Sequence, residues 1–153
     1  MRTPLLPAGL GHTCTKRFND VAFMHRVFLK DGSPSHIHGH IWAFEFEFAS
    51  AQLDVNGFVV DFTRLGEIEA AINLLRDGVV LSEFDPAVNT LSYCKDLCRT
   101  VLVPDASVEG LARYLFNIAN QLAEGRGAQC VRCTAFEDNT NSATYHQATP
   151  CPI

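Results

Sequence analysis

The stretch His38-Gly39-His40-Ile41-Trp42-Ala43-Phe44-Glu45-Phe46-Glu47-Phe48-Ala49 decides the fold. Trp42, Phe44, Phe46 and Phe48 occupy alternate positions, with Ala43, Glu45 and Glu47 between them. Successive side chains of a strand point to opposite sides of its sheet, so a period of two marks a strand with one buried face. The strand is expected from about His36 to Ala49. On the same alternation His38 and His40 project from one face, and Gly39 leaves room between them. Both imidazoles can then reach a single metal ion.

Working back from that strand, Arg17 to Leu29 is rich in Phe and Val and reads as its partner. Lys30-Asp31-Gly32-Ser33-Pro34 between them reads as a turn or loop, because Gly and Pro interrupt a ladder. A hairpin of this kind can bring His25 opposite His38 and His40 as a third ligand. Three neutral imidazoles with an open fourth position are the ligand set of a catalytic zinc ion rather than a structural one. His36 shares the strand parity of His38 and competes with His25 for the third place. The alternative is three separate surface or core histidines that never meet.

Working forward, Leu53 to Val60 is expected to be a third strand broken by the turn signal Asn56-Gly57. From Phe62 to Leu75 the residues Leu65, Ile68, Ala71, Ile72 and Leu75 recur at three- and four-residue intervals, which predicts an amphipathic helix ending before Asp77-Gly78. A second helix is expected from Val108 to Ala123. Ser107 is its N-cap, Leu111, Leu115, Ile118 and Leu122 form its apolar stripe, and Gly125-Arg126-Gly127 ends it. A last strand is expected over Ala128 to Glu137, with a mobile end to the Asn-, Thr- and Pro-rich tail. Strands in pairs, separated by helices, predict an α+β domain with both helices on one face of an antiparallel four-stranded sheet.

The 153 residues, 47% hydrophobic and 19% charged, suit one globular domain over 1–153. No apolar run reaches membrane-spanning length, and the first ten residues lack a signal-peptide core, so a cytoplasmic location and no membrane partner are expected. The net charge of −5 and the absence of a basic cluster argue against nucleic acid. The six cysteines are then expected as reduced thiols. Cys94-x3-Cys98 and Cys130-x2-Cys133 could form a four-thiolate zinc site, although residues three apart in a regular strand face opposite ways.

With these motifs in order, the chain resembles the 6-pyruvoyl-tetrahydropterin synthase family, including its queuosine-pathway branch, the 6-carboxy-tetrahydropterin synthases (QueD). The resemblance runs from about Phe18 to Tyr145. Val21-Ala22-Phe23-Met24-His25-Arg26-Val27 is similar to the family's Phe-x-x-Ala-His-Arg-Leu, and His38-Gly39-His40-Ile41-Trp42 to its His-Gly-His followed by an aromatic. Gly57-Phe58-Val59-Val60-Asp61-Phe62 resembles its Gly-aromatic-aliphatic-aliphatic-Asp-Phe block. Asp77 with Leu81-Ser82 is spaced like its Leu-Asp-His-x-x-Leu-Asn. Ala106-Ser107-Val108-Glu109-Gly110-Leu111-Ala112 resembles its Pro-Thr-x-Glu-Asn-Leu-Ala helix start, and Glu137 precedes Tyr145 as the family's pterin-binding glutamate precedes its tyrosine.

The resemblance implies the tunnelling fold, in which subunits join their sheets into a barrel, a trimer stacked into a hexamer, with active sites between subunits. It implies Zn2+ on His25, His38 and His40, substrate contacts at Glu137 and Ser107, a catalytic role for Asp77, and a reduced pterin such as 7,8-dihydroneopterin triphosphate as substrate. A carboxylate can accept two parallel N–H bonds from the 2-amino-pyrimidinone edge of such a ring. The chain departs from the pattern at two positions. Pro34 stands where the family has its basic cysteine, and Gly78 where it has the histidine after the aspartate, so two proton-transfer groups are missing. Residues 84–99 read as an insertion that could supply a new base or cover the metal. Three functions stay open: a zinc-dependent pterin lyase with altered chemistry, a non-catalytic pterin- or purine-like ligand binder, and a homo-oligomer in which zinc only orders the barrel.

Overall fold

Two long strands form the centre of the molecule: β1 (His12–His25) and β2 (His38–Ser50) pair antiparallel from His12↔Ser50 to His25↔His38. The computed structural model describes residues 9 and 11–147. Trp42, Phe44, Phe46 and Phe48 are each fully buried, as their alternation requires. Glu45 and Glu47 point to the other face and are paired there. Arg132 Nε lies 2.9 Å from Glu47 Oε2, and Arg17 and Arg132 both approach Glu45 at 3.4 and 3.6 Å.

One irregularity in β1 sets the site. Phe18 pairs with Phe44 but Val21 with Trp42, so β1 advances by three residues while β2 advances by two. The extra residue is accommodated beside Asp20, whose φ is 57°. Such a β-bulge flips the parity of everything beyond it. Before it, Cys14, Lys16 and Phe18 turn to the helix-covered face; after it, Val21, Phe23 and His25 do. His25 is aimed inward by that shift.

The expected Leu53–Val60 strand does not form. The Asp54 carboxylate instead accepts from the backbone N–H of Asn56 and Phe58 at 2.8 and 2.9 Å, folding the segment into a self-closed loop. The Asn-Gly signal marks a turn here without a ladder on either side. A 3₁₀ turn at Phe62–Arg64, capped by Asp61, leads into α1 (Gly66–Leu75), so the regular helix starts later than the periodicity suggests.

The sheet has six strands and is mixed, where four antiparallel strands were expected. β3 (Gly78–Ser82) runs parallel to β1, and β4 (Arg99–Val103) runs parallel to β3. Between them 84–98 carries the short helix α2 (Ala87–Leu91). On the other side, β5 (Gln129–Phe136) pairs antiparallel with β2, and β6 (Ser142–His146) with β5, giving the order β4-β3-β1-β2-β5-β6. The first part of the supposed tail is thus a strand; its end, 148–153, lies outside the described residues.

Helix α3 (Val108–Glu124) begins at Ser107, whose Oγ accepts from Gly110 N–H at 3.0 Å. Ile68, Ile72 and Leu75 of α1 and Leu111, Leu115 and Ala119 of α3 close over the aromatic row of β2. The molecule is therefore α+β, with the two longer helices on one face of the sheet. No helix among the described residues is long and apolar enough to cross a membrane.

Candidate metal centre

The register that pairs His25 with His38 puts three imidazoles at one end of the aromatic row, on its inward side. Ring centroids are 4.8 Å apart for His25 and His38, 5.0 Å for His38 and His40, and 5.6 Å for His25 and His40. A fourth side chain joins them. Glu137 directly follows β5, and one ligand atom from each of His25, His38, His40 and Glu137 falls within 4.8 Å of all the others.

The tautomers of His25 and His38 follow from their backbone partners. His25 Nδ1 lies 2.9 Å from the Ala106 carbonyl and His38 Nδ1 2.8 Å from the His36 carbonyl. A carbonyl only accepts, so both Nδ1 atoms donate and both Nε2 atoms of the neutral rings keep a lone pair. A carbonyl partner of this kind is what orients a metal-ligating imidazole. Burial pushes the His25 pKa below its ordinary value, outweighing the Ala106 hydrogen bond and Glu137, so the neutral ligand form is favoured.

His25 Nε2 is buried and has no hydrogen-bond partner, although Glu137 Oε1 lies only 3.1 Å away. The two observations agree once direction is considered: the distance is short, but the nitrogen does not address the oxygen as a donor. A lone pair and a carboxylate oxygen repel at that separation unless a cation lies between them. Three imidazole nitrogens and a carboxylate are a donor set that suits zinc. The residues therefore fit the ion that the sequence leads one to expect.

The surrounding chain fixes these groups. Ser82 Oγ accepts from Ala106 N–H at 2.9 Å, which holds the carbonyl that holds His25. Glu137 is rooted by its N–H to Asn141 O at 3.0 Å, at the neck of the β5–β6 turn. Inside that turn Asp138 accepts from Thr140 and Asn141, and those bonds, led by the Thr140 N–H, push its pKa down to about 2. Immediately after His25, Arg26 makes a two-pronged ion pair with Asp85, at 2.8 and 2.5 Å, and the Asp85 side chain is fully buried. Asp85 also accepts from Ala87 N–H, so residues 84–98 are pinned beside the centre.

The other candidates are placed as follows. His36 is exposed, offers its carbonyl to His38, and is not part of the four-residue group. Ser107 caps α3 next to Ala106. Asp77, with φ 56° and its N–H on Ala22 O, lines a cavity with Ala22, Met24, His40, Ile41 and Gly78, whereas His25 points to the helix side. Asp77 is not part of the four-residue group. Pro34 bridges Phe28 in the 30–35 loop. At Gly78 an added Cβ would meet Val101 Cγ2 at 3.0 Å and the Leu75 carbonyl at 3.2 Å, so a larger residue needs Val101 and the backbone to give by a few tenths of an ångström.

The four-thiolate site is not formed. A bulge at Val131 turns both Cys130 and Cys133 into the core, against the simple three-residue parity, while Cys94 and Cys98 lie in the 84–98 segment. Burial raises the Cys130 thiol to about 12 and Cys133 well above its ordinary value. Cys151 lies outside the described residues.

In fold, the chain is similar to an uncharacterised protein of Wolinella succinogenes, with TM-score 0.77 and 18% identity over 90% of this chain and 98% of that one. It is also similar to a catalytic-residue mutant of Plasmodium vivax 6-pyruvoyltetrahydropterin synthase, with TM-score 0.66 and 18% identity over 91% of this chain and all of the other. The Caenorhabditis elegans 6-pyruvoyl tetrahydropterin synthase gives 0.59 and 17%, over 90% and 97%. No curated protein matches in sequence. The sequence model of the 6-pyruvoyl tetrahydropterin synthase family matches residues 13–148, nearly the whole described chain, and the protein belongs to that family.

Proposed function

We propose that the protein is a zinc-dependent pterin-modifying lyase acting on 7,8-dihydroneopterin triphosphate or a related reduced pterin, with chemistry altered from its relatives. The observation that carries this is the convergence of His25, His38 and His40 around a buried, unpartnered His25 Nε2. His25, His38 and His40 would hold the zinc, which would supply Lewis-acid polarisation of the side-chain oxygens of the substrate. The chain's own residues supply the rest. Glu137 accepts from the amino-pyrimidinone edge of the ring, and Ser107 lines the approach at the start of α3. Asp77 reaches the centre of a neighbouring copy, which requires an oligomer built edge to edge, a trimer or hexamer.

The second reading is a non-catalytic pterin binder. Pro34 and Gly78 favour it, because neither side chain can move a proton, and Val101 and the Leu75 carbonyl crowd the position of a Cβ at Gly78. One experiment separates the two: zinc-replete protein is incubated with dihydroneopterin triphosphate, and all pterins are followed by mass spectrometry alongside the melting temperature. A zinc-dependent loss of triphosphate supports the lyase. A raised melting temperature without conversion supports the binder, since a ligand that favours the native state must stabilise it. Neither effect would contradict both.

A further inference from the structure

We infer that Glu137 is the fourth protein ligand of the resting metal centre, and that an incoming pterin has to displace it. The inference rests on the metal reading above and adds a state to it. Zinc bonds of about 2.0–2.1 Å in a tetrahedron put neighbouring ligand atoms roughly 3.3 Å apart. Glu137 Oε1 lies 3.1 Å from His25 Nε2 and 3.5 Å from His40 Nε2, bracketing that edge length. His25 Nε2 makes no hydrogen bond to that carboxylate, and the proton of its ring sits on Nδ1, on the Ala106 carbonyl. The carboxylate and the nitrogens thus converge on a common point between them.

Glu137 is also well anchored for this role. It leaves β5 at the neck of a turn closed by its own N–H on Asn141 O and by Asp138 on Thr140 and Asn141. A root fixed this way leaves only the side-chain torsions to move. That matters because the amino-pyrimidinone edge of a pterin lies at the far end of the ring system from its oxygenated side chain. One carboxylate cannot close the metal and grip that edge at once. Binding therefore exchanges ligands: the side-chain oxygens of the pterin take the metal position, and Glu137 swings to the ring. Empty, the centre has four protein ligands and no open position, which shields the ion from stray anions until a pterin supplies both partners.

The test uses the full chain, apo and reloaded with Zn2+ or Co2+. Zinc affinity is read by competition with a chromophoric chelator and by emission of Trp42, the single tryptophan, whose ring is 5.0 Å from His25. Coordination is read from the visible bands of the Co2+ form. Loss of an outer-shell partner already lowers metal affinity by about 10–100-fold, so E137A, which removes a direct ligand, should cost at least about tenfold. It should also weaken the Co2+ bands as water replaces the carboxylate. E137Q, of equal size, should fall between E137A and the wild type. Dihydroneopterin added to the wild-type Co2+ protein should shift its bands, whereas E137A should already lack the carboxylate-bound spectrum. If E137A keeps wild-type zinc affinity and Co2+ bands while H40A loses metal, the metal reading stands and the fourth-ligand inference is overturned. If H40A and H25A also bind as the wild type does, the metal reading fails and takes this inference with it.

Discussion

Asp85 has a fully buried carboxylate whose two oxygens are taken by one guanidinium and one backbone N–H, and it ties the 84–98 segment to the residue after His25. The Arg26 hydrogen bonds hold its carboxyl below the usual carboxylate range. A depressed carboxylate stabilises the fold fully above its unfolded value, near about 3.9, and that contribution is lost as pH falls through the lower folded value. Asp85→Asn should therefore cost about 1.5–3 kcal/mol at neutral pH, the range for hydrogen bonds to charged groups. Its deficit should begin to shrink below about pH 4, where Asp85 of the unfolded chain takes up its proton, and go on shrinking as pH falls through the lower folded value. Urea melts at pH 7 and pH 3 would show this; a deficit that does not change with pH would refute it. At the same scale, His38 and His40 were legible as a pair from strand alternation alone. His25 was legible through hairpin spacing and the motif around it rather than through strand parity, because the bulge that aims it inward has no clear signal in Asn19-Asp20. The nearness of Glu137 to the metal was not legible, since it depends on the β2–β5 register rather than on anything local.

At the scale of the elements, the aromatic alternation of β2 and the periodicity of α3 were plain, because each sets a long, amphipathic face. β3 and β4 were missed. Val79-Val80-Leu81 and Val101-Leu102-Val103 are short apolar runs, and every residue of β3 is buried, so it shows no alternation to read. Buried parallel strands have that property. The junction from β4 into α3 is the most constrained of the elements. At Gly110 an added Cβ would lie 2.4 Å from the Asp105 carbonyl and 2.5 Å from its side chain, so the turn before the helix packs directly onto glycine. Gly110→Ala should therefore destabilise by about 1–3 kcal/mol, the usual cost of overpacking. Because Asp105-Ala106 also positions the His25 carbonyl partner, zinc affinity should fall with it. Calorimetry and chelator competition on the same sample would check the pair of effects; a variant as stable as wild type would contradict the packing argument. The same reasoning predicts that Gly78→His will not restore the relatives' chemistry but will disturb β4, seen as a lowered melting temperature.

At the scale of the whole molecule, β4 and β6 are the two edges of the described sheet, and unpaired edges tend to be covered or joined. Leu102 is 46% exposed on β4, an apolar side chain at an edge. If copies join there, sedimentation should give a multiple of the 16.9 kDa chain mass, three or six, and Leu102→Glu should shift it toward one. A monomer in the wild type would remove the route by which Asp77 meets a neighbour's histidines. Everything proposed for the protein nonetheless depends first on one ion in one place. The most direct measurement is an anomalous difference map recorded on either side of the zinc absorption edge from crystals of the zinc-replete protein. The account predicts one strong peak per chain, within bonding distance of His25 Nε2, His40 Nε2 and a nitrogen of His38. A peak ligated by His36 in place of His25, or no peak among these histidines at full zinc occupancy, would contradict it.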